Sequence, residues 1–326
     1  MISALTVSRQ QTQTRRTAMN SDKSEKALKR KKQAEKTWHR IFILLIICSL
    51  IVATASSIRR VHAEQAINKE LAGSTLPQSE KKTNGIMILC YHRILKPSLA
   101  TTIAQSLSNN RQLHDYAITT TVFRSHLAYL KKHKVEIISL DKAVAMVASG
   151  KPIARQYAVI TFDDVDSTVY ANAFPILKRL NYPFTVFVIT SQTGSYDKGT
   201  SLATWSQIRR MVDSPLVTVG LHTNNMHFMV KNKPVLTSQQ GTERFAADYQ
   251  ESQKILTQRL GITARYFAYP YGESTKSAQK YLTKKGIITA GLTDGVIHEY
   301  TSLSQPLPRS LVTVKSWKKV VKPWIR

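Results

Sequence analysis

Beyond Gly85 the chain alternates short β-type apolar runs with segments whose apolar residues recur every three or four positions. Ile86–Cys90, Val135–Ser139, Tyr157–Phe162, Phe184–Ile189, Arg265–Ala268, Ile287–Gly291 and Leu311–Val314 read as strands, and Pro215–Leu221 leads into another. The helical pattern covers Val122–His133, Asp141–Ser149, Thr168–Leu180, Thr204–Val212, Glu243–Leu260 and Thr275–Lys285. Phe123, Leu127 and Leu130 mark one face of the first of these, and Pro175 predicts an irregularity in the third. A polar insertion at Pro97–Ala117 separates the first strand from the first helix. Strands alternating with helices predict an α/β fold with a parallel sheet under covering helices. Short runs with many returns fit a barrel better than an open sheet. Reactive side chains are then expected at the C-terminal ends of strands.

The first part of the chain has a different pattern. Residues 1–40 are polar, without hydrophobic periodicity, and carry eleven basic and three acidic residues. Such a segment cannot bury enough surface to fold, so disorder is expected there. Residues 41–58, IFILLIICSLIVATASSI, contain no charge and are long enough for a short membrane helix. Basic residues crowd its N-terminal side, which places residues 1–40 in the cytoplasm and the rest outside. Val61-His62-Ala63 has the small-residue spacing of a cleavage site, giving secretion as the alternative to a retained signal anchor. Residues 59–84 read as a polar linker and residues 85–326 as the folded domain.

Composition changes this picture in two ways. The net charge of +27 lies mostly beyond residue 40, so the outer domain should be drawn to anionic surroundings. The basic residues are scattered and no nucleic-acid-binding motif accompanies them, so no specific nucleic-acid partner is expected. The two cysteines, Cys48 and Cys90, fall in the apolar span and in a strand, so no disulfide is expected. Cys90 reads as a small buried hydrophobe.

The candidate chemistry sits at strand ends. Thr161-Phe162-Asp163-Asp164 closes the run Tyr157–Ile160 with two adjacent carboxylates. Burying either one costs several kcal/mol unless a cation or hydrogen bonds compensate. By itself the pair is equally readable as a helix cap or turn. His222 and His227 follow a second apolar run, and the turn-prone Asn224-Asn225 between them lets the rings converge. Two imidazoles and one carboxylate suit a catalytic divalent metal, with zinc the default and cobalt or nickel compatible. Pro270-Tyr271-Gly272 forms a rigid turn, whose amide is able to hold an oxyanion.

In this order and spacing the three motifs resemble the polysaccharide deacetylase family, from about Gly85 to the end of the chain. Leu202-Ala203-Thr204-Trp205-Ser206-Gln207 fits the approach to its histidine motif. The resemblance implies a distorted (β/α) barrel that removes acetyl groups from N-acetylglucosamine polymers. It implies Asp163 as catalytic base, Asp164, His222 and His227 as metal ligands, and the amide of Tyr271 as oxyanion donor. Val165 stands where the family has glycine, and the histidine spacing is one residue longer. That spacing, with Cys90-Tyr91-His92-Arg93-Ile94, resembles the branch acting on poly-β-1,6-N-acetylglucosamine of biofilms. A peptidoglycan- or chitin-type deacetylase and an inactive polysaccharide-binding relative are the alternatives. A polysaccharide synthase or export machinery is an expected partner. The late Leu-x-His motif that supplies the acid in relatives has no clean match. His92 is preferred for the acid, with His298 second; Leu307-Pro308-Arg309 follows nearby.

Overall fold

The computed structural model describes residues 75–98, 116–197 and 200–326, with Trp38, Ile41, Ile43, Leu44 and Ile46 of the N-terminal part. The chain divides into two units, Met1–Glu70 and Leu71–Arg326. In the first, these five residues are helical and exposed. Among the described residues no helix is long and apolar enough to cross a membrane. Most of the expected span 41–58, all of residues 59–74 and nearly all of residues 1–40 lie outside the described residues.

The second unit is a curved parallel sheet, a half-barrel, under a layer of helices. Its strands are β1 (Gly85–Tyr91), β4 (Glu136–Ile137), β5 (Gln156–Phe162), β6 (Phe184–Val188), β9 (Val217–Leu221), β12 (Tyr266–Ala268), β13 (Ile288–Ala290) and β14 (Ser310–Leu311). They run in the order β13-β12-β9-β6-β5-β1-β14, with β4 beside β5. β1 is buried along its whole length, as expected of a parallel strand covered on both faces. Alternate residues of β1 enter two separate apolar clusters. Met87, Leu89 and Tyr91 join the large one under the helices, while Ile86 and Ile88 join a smaller one with Val159, Phe187 and Leu307. The end strands are not paired by a ladder. Leu307 bridges to Ala290 of β13, and three residues later Ser310 pairs with Leu89 of β1. The segment between them draws the two edges together, so the expected barrel is realised as an incompletely closed one.

The helices are α1 (Thr120–Lys132), α2 (Leu140–Ala148), α3 (Phe174–Leu180), α4 (Trp205–Val212), α5 (Gln239–Leu260) and α6 (Lys276–Lys284). Five of the six start at side-chain caps, while α3 continues directly from a π turn. The Thr119 hydroxyl accepts from Val122 N, and that of Ser238 accepts from Gly241 N. The second cap starts α5 four residues earlier than its apolar pattern suggests. Gly241 permits this, because a Cβ there would lie 1.8 Å from the Val235 carbonyl oxygen. The single helix expected over Thr168–Leu180 is a π turn, Val169–Ala173, followed by α3. Pro175 has no N–H to donate to the preceding turn, and the widened turn lies immediately before it.

Two expectations need correction. The linker ends before residue 84: Leu76 is buried, Gln78–Glu80 is a 3₁₀ turn, and Glu80 Oε2 accepts from Val296 N at 2.6 Å. The last strand stops at Leu311, because the Thr313 hydroxyl caps a helical segment instead. That segment, α7, spans residues 314–324 as Val314–Ser316, a π turn Trp317–Val321, and Lys322–Trp324. Trp317 and Trp324 are its buried anchors. Two small hairpins, Tyr196–Asp197 with Thr200–Ser201 (β7, β8) and Met229–Val230 with Lys233–Pro234 (β10, β11), were not anticipated. Nor was the parallel pair Arg93–Leu95 with Ala117–Thr119 (β2, β3).

Candidate active site

Thr161 faces the inside of the sheet at the end of β5, and the chain then turns sharply. Asp164 and Val165 both take left-handed backbone, φ +62° and +60°. This turn swings both carboxylates into one pocket. The residue after the pair needs positive φ, which is why glycine suits it; Val165 adopts it at a steric cost of order 1–3 kcal/mol. Val165 is buried in the large apolar cluster, which offsets that strain. The turn is tied down by Asp163 N donating to Tyr91 O and Ala203 N donating to Val165 O. Arg93 and Asp166, both buried, pair at 3.1 Å just beyond it.

β9 delivers His222 and the loop after it delivers His227. Nε2 of His222 and of His227 lie 3.5 and 3.3 Å from the same atom, Asp164 Oδ1. Nδ1 of His222 donates to the Ala268 carbonyl at 2.7 Å, which leaves the Nε2 lone pair facing the carboxylate. Burial pushes the His222 pKa down to about 4, against the pull of Asp163, so the ring is neutral at neutral pH. Asp164 Oδ1 is buried without a hydrogen-bond partner. Ligand atoms of Asp164, His222 and His227, one from each, therefore converge, all within 4.8 Å of one another. That arrangement fits a divalent cation and is unfavourable without one.

The loop joining the two histidines is held from outside the sheet. Thr223 sits at φ +75° and is fully buried, a strained position for a β-branched residue. The Asp248 carboxylate on α5 accepts from Asn224 N and Asn225 N, each at 2.8 Å. Burial raises its pKa while the two amides oppose the shift. Asp248→Asn would present an amide nitrogen to one of these N–H groups. It is expected to weaken metal affinity about 10–100-fold, with Asp248→Glu recovering part of the loss. Titration of metal-free protein with Zn²⁺ would measure this; unchanged affinity would remove Asp248 from the metal-positioning set.

Asp163 does not share the three-donor site. Its Oδ1 and Oδ2 are bound by Nη1 and Nη2 of Arg309 at 2.6 and 2.8 Å, with both side chains almost fully buried. Burial alone would raise its pKa, but the guanidinium outweighs burial and holds the carboxyl well below the usual range. Arg309 comes from the segment that draws the sheet edges together. It stacks over Phe187 inside the half-barrel, and its Nε donates to the Gly291 carbonyl. The Cys90 thiol donates to Asp163 Oδ2 at 3.4 Å, so Cys90 is part of the site rather than a plain hydrophobe. Asp163 Oδ2 still approaches His222 Nε2 to 4.0 Å.

His92, one residue past β1, is buried beside this group, and ligand atoms of Cys90, His92 and Asp163 lie within 4.8 Å of one another. Its Nδ1 has no hydrogen-bond partner, and burial lowers its pKa although both aspartates pull upward. The ring meets Tyr116 edge-on at 4.7 Å. Tyr271 adopts φ +58° in the turn after β12, and its ring lies 4.8 Å from that of His227. Gly272 beside it has no room for a Cβ, which would fall 2.5 Å from Leu292 Cβ. His298 is not in the site. It lies beside Gly85, at the opposite end of β1, stacked on Tyr300.

Sequence reasoning missed Arg309, Asp248 and Tyr116 as parts of the site. Arg309 had one signal, an arginine in an apolar stretch near the place expected for the acid motif. Asp248 and Tyr116 had none.

Comparison with known proteins places this geometry. Residues 150–290 match the model of the polysaccharide deacetylase family. The structure of IcaB from Ammonifex degensii superposes with a TM-score of 0.67 at 32% identity, covering 78% of this chain and all of that one. The poly-β-1,6-N-acetyl-D-glucosamine N-deacetylase of Staphylococcus aureus is 25% identical over 288 residues, 88% of this chain and 97% of the relative. Its Staphylococcus epidermidis counterpart is 26% identical over 291 residues, covering 89% and 97%.

Proposed function

Because the chain belongs to the polysaccharide deacetylase family, we propose that it hydrolyses the acetamides of poly-β-1,6-N-acetyl-D-glucosamine, as its staphylococcal relatives are named for doing. The protein is accordingly a hydrolase of carbon–nitrogen bonds other than peptide bonds. The observation that carries the mechanism is the meeting of Asp164, His222 and His227 at one point beside an ionised, separately held Asp163.

The residues that would hold the metal are Asp164, His222 and His227, and zinc suits one carboxylate with two imidazoles. A divalent ion bound there supplies Lewis acidity to the acetamide oxygen and to the attacking water. Asp163 accepts the proton of that water as attack proceeds. Its pairing with Arg309 keeps it ionised throughout the working pH range. The amide of Tyr271 donates to the developing oxyanion. His92 gives a proton to the departing amine. Burial keeps its ring neutral beforehand, so that proton arrives within the catalytic cycle, with Asp163 the adjacent source. Acetate and a glucosamine unit result.

The location follows from residues 41–58. We read them as a single membrane span with the catalytic domain outside the cell, secretion after cleavage being the alternative, and a polysaccharide synthase or exporter as neighbour. Each turnover makes a neutral sugar cationic, which suits a polymer that adheres to anionic cell surfaces.

Acetate release from β-1,6- and β-1,4-linked N-acetylglucosamine oligomers tests the reading directly. Release should be faster on the β-1,6 series, stop with a chelator and return with added Zn²⁺. Equal or greater activity on the β-1,4 series would reassign the substrate to peptidoglycan or chitin-type chains. Activity indifferent to the chelator would reject the metal mechanism.

A further inference from the structure

The end of the sheet opposite the active site carries a basic face that the proposed reaction does not use. α1 and the turn after it contain no acidic residue from Thr120 to Val135, and none occurs after Glu299. These two acid-free stretches pack together. His126 stacks on Trp317 at 3.7 Å, Lys322 Nζ lies 5.0 Å from the Tyr129 ring, and His133 Nδ1 meets the Arg326 carbonyl at 2.8 Å. The start of the folded unit joins them, since Lys82 N donates to Pro323 O and Arg326 Nε donates to Lys82 O. The packing buries the aromatic rings of Trp317 and Trp324 but leaves Lys82, Lys131, Lys132, Lys319, Lys322 and Arg326 exposed. Lys319 and Lys322 lie on the C-terminal helical segment, and Arg326 lies just beyond its end.

The position of this face is set by Gln156. Its side-chain amide donates to Trp324 O at 2.6 Å, and its Oε1 accepts from Arg326 N at 3.1 Å. Gln156 opens β5, whose other end leads into Asp163, about 20 Å away along the strand. Like charges gathered on one face repel each other, and neither stretch carries an acid to offset them. A surface of this kind fits a partner with many closely spaced negative charges.

We propose that this face docks on the headgroups of an anionic phospholipid bilayer, which leaves the catalytic rim pointing away from the lipid. Lipid is chosen over a soluble polyanion because the apolar run 41–58 precedes Thr75 by only sixteen residues along the chain. The proposal therefore rests on the reading of that run as a membrane anchor. Each lysine near an anionic surface strengthens binding about fivefold, and salt weakens the attraction.

The test uses the full chain in lipid nanodiscs of phosphatidylcholine alone or with phosphatidylglycerol. Co-elution with phosphatidylcholine discs reports on the anchor by itself. Amide hydrogen exchange reports on docking. Residues 120–134 and 313–326 should exchange at least about fivefold more slowly in the anionic discs, and the difference should vanish in high salt. The set K131Q, K132Q, K319Q and K322Q should abolish the slowing while acetate release from a soluble oligomer is unchanged. K131E with K319E serves as a second variant if the fourfold change does not fold. Equal exchange in both discs would overturn the proposal. So would protection confined to Phe228, Met229 and Val230, the exposed apolar residues beside His227 on the catalytic rim. Protection by free polyphosphate but not by anionic discs would assign the face to a soluble polyanion instead. Anchor failure and docking failure are thus read separately.

Discussion

Asp163→Asn is expected to lower turnover about 10²–10⁴-fold while the protein still binds one divalent ion. The amide keeps the shape of the carboxyl but cannot accept a proton. The metal should stay, because Asp164 and the two histidines converge on a point that Asp163 only borders, with its own oxygens held by Arg309. Asp164→Asn should do the reverse, losing metal first and activity with it. Metal content and acetate release measured together on both variants separate the two roles. If Asp163→Asn lost the ion and Asp164→Asn kept it, the base and the ligand would have to be exchanged.

Arg309→Met is expected to destabilise the metal-free protein by about 3–5 kcal/mol near neutral pH, because it strands a buried carboxylate. That is a large part of the roughly 5–15 kcal/mol typical of a folded domain. The sign of the pH dependence is the sharper test. In the parent protein Asp163 titrates below its unfolded value, so its pairing stabilises above about pH 4 and is lost as pH falls. In Arg309→Met burial acts unopposed by the guanidinium and moves the pKa upward. Stability should then fall as pH rises from about 4, where the unfolded carboxyl ionises and the buried one does not. Urea unfolding of both proteins across the acid range would show the two slopes. Parallel curves would mean that Arg309 acts by packing alone. Arg309→Lys should recover little, since a single ammonium cannot reproduce the paired Nη1 and Nη2 contacts.

The two sides of this ion pair differ in how far they could be read in advance. Asp163 announces itself, since two carboxylates at the end of an apolar strand require a compensating partner. Arg309 lies 146 residues away. It reaches Asp163 only because Leu307 joins one sheet edge and Ser310 the other, which turns the side chain between them inward. No local pattern encodes that seam. His92 and His298 show the same limit. As isolated histidines near strands they are alike, and only the direction of β1 puts one beside Asp163 and the other at the far end.

Local chemistry alone dictated the alternation of strands and helices, the parallel sheet, and the residue types of the three-donor site, because apolar periodicity and strand-end carboxylates act over a few residues. It also dictated the charge balance and the apolar run 41–58. Tertiary structure decided the partner of Asp163, the clamp of Asp248 on the histidine loop, the left-handed turn through Asp164 and Val165, and the gathering of lysines opposite the rim. Each of these depends on where the curved sheet brings distant segments together, and that is a property of the whole packed core rather than of any window along the chain.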